Sequence, residues 1–131
     1  MNESAVDTYR SRFRKVLEYI DRHLEDELTI EHLSKVAAFS KYHFHRQFSE
    51  LFGMSVYKYI QLTRLKRASY QLAFCDRIPI VEISLASGYE NHESFSRAFK
   101  KTIGQTPSEF RDDPQWNPWH LIYQLLPTGY R

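Results

Sequence analysis

The chain is short of the residues on which several protein classes depend. Its 131 residues include one cysteine, Cys75, so an internal disulfide is excluded and a reducing compartment is expected. Only four glycines are present, which suits an ordered, helix-rich globule of one domain's size. No apolar run approaches the roughly 18 residues of a membrane span. The opening MNESAVDTYR lacks the apolar stretch of a secretion signal, so a cytoplasmic location is expected. Neither a phosphate loop, nor a nucleophile with its base, nor a cleft of paired carboxylates can be found, and no enzyme is expected. No Cys/His spacing suits zinc, because His43 and His45 diverge on a helix; neither a metal nor a cofactor is expected.

Net charge is only +2, yet it is unevenly distributed. Between residues 40 and 75 stand Lys41, Arg46, Lys58, Arg64, Lys66 and Arg67 against Glu50 alone. Such a basic stretch is the footprint expected for phosphate, although a solvated charged face would look the same. Inside it lies SKYHFHRQFSELF, Ser40 to Phe52. At about 100° per residue, Phe44, Phe48, Leu51 and Phe52 share an apolar stripe, whereas Tyr42, His45, Arg46 and Ser49 fall about half a turn away. Ser40 supplies an N-cap oxygen, so the spacing predicts a helix from Lys41 that carries donors on its outward face.

Residues 1–8 are polar and without periodicity, and are expected to be a flexible arm. From Tyr9, the positions Phe13, Val16, Leu17, Ile20 and Leu24 follow helical spacing. Thr29 caps a second short helix with Ile30, Leu33, Val36 and Ala37 inward, and Ser40 caps the third. Residues 9–54 therefore read as a helix-turn-helix subdomain. A linker helix over residues 55–75 follows, uninterrupted by Gly or Pro; its roughly 20 residues give a strut of about 30 Å. Pro79 is tolerated in the first turn of the next helix.

Residues 76–111 then repeat the first unit. Ile30 matches Ile80, Leu33 matches Ile83, and Ser34 matches Ser84; after one extra residue in the second turn, Phe44 matches Phe95, Arg46 matches Arg97, and Gly53 matches Gly104. Gly88 stands where the second turn reverses; the first copy has Ala38 and Phe39 there. The strut places two recognition helices roughly one DNA turn, about 34 Å, apart, so one chain could enter two successive major grooves. Two different reading faces imply an asymmetric site and a monomer on double-stranded DNA.

The segments LTIEHLSKVAAFSKYHFHRQFSELFGMS, YIQLTRLKRASYQL and IVEISLASGYENHESFSRAFKKTIGQTPSEFR resemble the DNA-binding domain of the AraC/XylS family of bacterial transcription activators. They are especially similar to its single-domain members, which activate multidrug-resistance and superoxide-stress genes. The resemblance covers about residues 9–111. It implies an all-α fold of about seven helices, with two helix-turn-helix subdomains joined by a long linker helix. It also implies sequence-specific DNA binding, transcription activation at the nucleoid and contact with RNA polymerase. The firmest base contacts it implies are Tyr42, His45 and Arg46, with His92, Glu93, Ser96 and Arg97 as the second set. His92 and Glu93 replace the glutamine-like readers of the nearest relatives.

Side-chain chemistry assigns compatible roles. Arg46 and Arg97 can fork to guanine or clamp a phosphate, and Tyr42 can pack on a thymine methyl. Glu93 either accepts from a cytosine N4 amine or pairs with Arg97 one turn on. Ser40, Lys41, Ser49, Asn91 and Lys100 are expected at phosphates. Cys75 reads as a packed thiol in preference to a redox sensor, and the phenylalanines read as core in preference to base stackers. The tail, residues 112–131, is too apolar for a solvated segment. It folds back as a cap, leads into an effector-binding domain, or offers a partner surface. A helical interaction module without specific DNA binding is the alternative function; it predicts outward faces without Arg46 and Arg97.

Overall fold

A computed structural model of the chain describes residues 2–127, and these form helices and no strands. The eight helices are α1 (Asn2–Arg22), α2 (Ile30–Val36), α3 (Lys41–Phe52), α4 (Val56–Phe74), α5 (Ile80–Ala86), α6 (His92–Ile103), α7 (Pro107–Asp112) and α8 (Asn117–Leu125). Two compact units result: one reaches Ile60 and takes in Leu126, and the other spans Gln61–Leu125. Met1 of the expected arm and residues 128–131 of the expected tail lie outside the described residues.

In the first unit Phe13 is the hub. Its ring centroid lies 5.3 Å from that of Phe39, 6.1 Å from Phe44 and 6.4 Å from Phe48. Phe13, Phe44 and Phe48 are fully buried with Val16, Leu17, Ile20, Leu33 and Ala37 in a core from which water is excluded, and Phe39 lies half-buried at its edge. Each fully buried side chain of this size contributes about 1.5–3 kcal/mol. The second unit repeats the plan, with Phe95 and Phe99 of α6 buried among Leu65, Ala68, Leu72, Ile83 and Phe110.

Caps set the helix starts as the sequence predicts. The Oγ of Ser40 accepts from the His43 amide at 3.2 Å, and Asn91 Oδ1 accepts from the Ser94 amide at 2.9 Å. Thr106 and Glu109 form a reciprocal capping box on α7.

Several boundaries differ from expectation. Helix α1 begins at Asn2, so the segment read as an arm is helical; it lacks an apolar face, and periodicity cannot find it. Pro79 is the N-cap of α5, one position before its first turn. Leu51, at 41% exposure, sits at the edge of the α3 stripe. Cys75 is exposed, because α4 ends at Phe74 and the thiol falls past the packed face. The additional helix beyond seven is α8, which folds back as a cap on the second unit: Trp119 is buried in its core and its indole N–H donates to Ser69 Oγ at 2.8 Å.

Both helix-turn-helix turns reverse through a left-handed residue. In the second it is Gly88, at φ 89°; in the first it is Ala38, at φ 60°, where a Cβ is strained. An arginine braces each turn. Arg12 Nε donates to the Ala37 carbonyl at 2.7 Å, its Nη2 donates to the Ala38 carbonyl, and its guanidinium covers the Phe39 ring at 3.6 Å. In the second unit Arg67 Nη2 donates to the Ala86 carbonyl at 2.6 Å. An added Cβ on Gly88 would meet the Arg64 guanidinium at 3.1 Å. Thermal unfolding should therefore show Gly88→Ala destabilised by about 1–2 kcal/mol, with Ala38→Gly neutral or stabilised by up to about 1 kcal/mol. Loss of stability in Ala38→Gly with none in Gly88→Ala would refute this account of the turns.

Candidate nucleic-acid interface

Burial of Phe44 and Phe48 turns the opposite face of α3 to solvent. Tyr42, His45 and Arg46 are all exposed there, Tyr42 at 75%, as the sequence predicts. Arg46 has a neighbour on each side along the helix. Its Nε donates to Glu50 Oε1 at 3.2 Å, and Tyr42 hydrogen-bonds it from the preceding turn. The bond to Glu50 first, and that to Tyr42 second, raise the guanidinium pKa further above its ordinary value. Side chains 60% and 58% exposed make the Arg46–Glu50 pair weak and exchangeable, so the guanidinium is free to turn to a base or phosphate. His45 lies beside Tyr57 at the start of α4, ring centroids 6.4 Å apart.

On α6 the outward set is His92, Glu93, Ser96 and Arg97; Ser96 is half-buried and the other three are exposed. The orienting pair of carboxylate and arginine considered for Glu93 and Arg97 is not formed. Glu93 Oε2 lies 3.5 Å from His92 Nδ1, and Arg97 Nη2 donates to Ser94 Oγ at 3.4 Å. Such a pair exists on α3 instead, in the opposite order, as Arg46 and Glu50. In the second unit the acidic side chain stands in the first turn of the helix, where the partial positive charge of the amides favours it.

The residues expected at phosphates fall into two groups. In Ser40 and Asn91 the cap consumes an acceptor, which leaves the serine hydroxyl proton and the asparagine amide to donate outward. Lys100 is exposed in the last turn of α6. By contrast, Ser49 is half-buried and its hydroxyl donates to the His45 carbonyl at 3.1 Å, so a phosphate contact must displace that bond. Lys41 is paired with Glu31 of α2 at 3.5 Å; side chains 63% and 74% exposed make this a weak, exchangeable contact.

Sequence reasoning missed Arg12 and Arg67, which hold the turns before α3 and α6, and Tyr9, whose hydroxyl donates to Gln47 on α3. The internal repeat extends backward, with Phe13 matching Leu65, Val16 matching Ala68 and Ile20 matching Leu72, but it pairs Arg12 with Arg64 and Arg67 with Lys15, so it does not single out the two bracing arginines.

The helix-turn-helix domain family matches residues 33–113. The uncharacterized HTH-type transcriptional regulator YbfP of Bacillus subtilis is 38% identical over 103 residues, which is 79% of this chain and 35% of that protein. The right origin-binding protein of Escherichia coli is 33% identical over 108 residues, 82% of this chain and 37% of its own length. The chain thus spans little more than a third of the length of these relatives. Among solved structures, a transcriptional regulator from Chromobacterium violaceum with an AraC-type DNA-binding domain shares the fold: TM-score 0.72 at 23% identity, covering 81% of this chain and 96% of that one.

If Lys41 meets phosphate, Glu31 competes with DNA for it. Glu31→Gln should then raise affinity for cognate and random duplex alike by about twofold to fivefold at low salt, with the gain fading as salt rises. Unchanged affinity, or a gain confined to one sequence, would remove Lys41 from the phosphate contacts; fluorescence anisotropy across a salt series measures it.

Proposed function

Since the chain belongs to the AraC/XylS family of helix-turn-helix proteins, we propose that it is a DNA-binding transcriptional regulator that reads an asymmetric site with both α3 and α6. The observation that carries this reading is the duplicated, capped reading helix. Each copy buries a phenylalanine pair and turns an arginine-bearing face to solvent. The unbroken 19-residue α4 supports entry into successive major grooves: at 1.5 Å per residue it is about 28 Å long, close to one DNA turn of about 34 Å. One chain then suffices for the site, as a monomer.

In this reading Arg46 forks to guanine O6 and N7, His45 donates to a base edge, and Tyr42 packs on a thymine methyl. Arg97, Ser96 and His92 read the second block, and Glu93 accepts from a cytosine N4 amine. Ser40, Lys41, Ser49, Asn91 and Lys100 set the register on phosphates. Activation, through a surface that touches RNA polymerase, completes the proposal and rests on family membership.

Arg46→Ala should weaken the cognate site about 5- to 150-fold and relax one position of the preferred sequence. Lys41→Ala should weaken every duplex evenly and lower the salt slope by about one. Equal loss on cognate and random DNA for Arg46→Ala would place that residue at a phosphate and remove α3's main base contact.

A further inference from the structure

We infer that the aromatic groove between α4 and α8 in the second unit is a binding site for a small aromatic carboxylic acid. The open groove has a volume of about 420 Å³ and is lined by Lys66, Tyr70 and Phe74 of α4, by Trp116, and by Trp119, His120 and Tyr123 of α8, so His120 is a second nitrogen donor beside Lys66. That volume lies within the range of about 300–1,000 Å³ usual for small-molecule sites.

Three of its rings form a paved surface. The Tyr70 and Phe74 centroids are 6.2 Å apart with 22° between planes; Phe74 and Trp116 are 6.0 Å apart at 14°. Trp119 fixes the floor, buried and hydrogen-bonded to Ser69. Yet Phe74 remains 72% exposed and Tyr70 51%, so their faces are available to stack on a planar guest.

Lys66 decides the charge of that guest. Its side chain is half-buried and its ammonium lies 5.3 Å from the Tyr123 ring centroid, with no carboxylate paired to it among the described residues. A cationic ligand would be repelled, whereas a single carboxylate would supply the missing counter-ion. One lysine at the rim and flat rings below match one charge on one or two fused rings. None of the lining residues belongs to α3 or α6.

The chain's two tryptophans, Trp116 and Trp119, both line the groove, so their indole N–H resonances report on it directly. Sodium 2-naphthoate and its neutral analogue 2-naphthalenemethanol should be titrated separately into the full chain. Expected is a saturable shift of the indole signals, with the acid binding at least about tenfold more tightly than the alcohol. Lys66→Gln should abolish that preference while leaving thermal stability unchanged, and Phe74→Ser, at an exposed position, should weaken both ligands severalfold. No saturable shift at millimolar acid, or equal binding of acid and alcohol, would overturn the proposal. So would indole shifts that follow protein concentration alone, since a second copy would then be the occupant.

Discussion

Burial of Phe44 and Phe48 against Phe13 fixes what α3 can show to its surroundings. Truncating one such ring to Ala costs about 3–5 kcal/mol, so the helix cannot rotate about its axis to offer another face. Rotation by a single residue would bring His45 or Ser49 inward and expose a phenylalanine. The same constraint acts on α6 through Phe95 and Phe99. Every outward side chain on the two helices therefore has its direction set by side chains that never meet solvent.

Position along the helix is set at its start. Ser40 and Asn91 stop the chain from extending either helix backward, and Arg12 and Arg67 tie the preceding turns to α1 and α4. The bonds from Arg12 to the Ala37 carbonyl and from Arg67 to the Ala86 carbonyl are part-buried and use charged donors, the strong class of hydrogen bond. The outward contacts are of the opposite kind. Lys41 with Glu31, Arg46 with Glu50, and His92 with Glu93 are solvent-exposed pairs, worth little in water and readily exchanged. A rigid inner frame thus carries an outer layer of cations and carboxylates that a polyanion can rearrange without disturbing the core.

Periodicity and caps made the helices, the duplicated units and the two outward faces legible in the amino-acid order. Buried apolar residues recur every three or four positions, and Thr29, Ser40, Asn91 and Thr106 each cap an amide three positions on. What stayed hidden depends on contacts distant in the chain or on segments without a period. Arg12 is one polar residue among several on α1, and only the fold shows that its guanidinium reaches the turn after α2. The Arg46 and Glu50 pairing competes with water, and spacing alone favoured Glu93 and Arg97 equally. In the tail, the destination of Trp119 depends on Ser69, fifty positions earlier. The start of α1 went unseen because residues 2–8 carry no apolar period in the sequence.

The most direct test is selection of bound duplexes from a random library, followed by measurement of the protein-to-DNA stoichiometry on the best site. Two helices of one chain reading adjacent grooves predict one chain per duplex. The site should be asymmetric, with two informative blocks about 10 base pairs apart, one erased by Arg46→Ala and the other by Arg97→Ala. A palindrome bound by two chains, or a single block insensitive to Arg97→Ala, would contradict it.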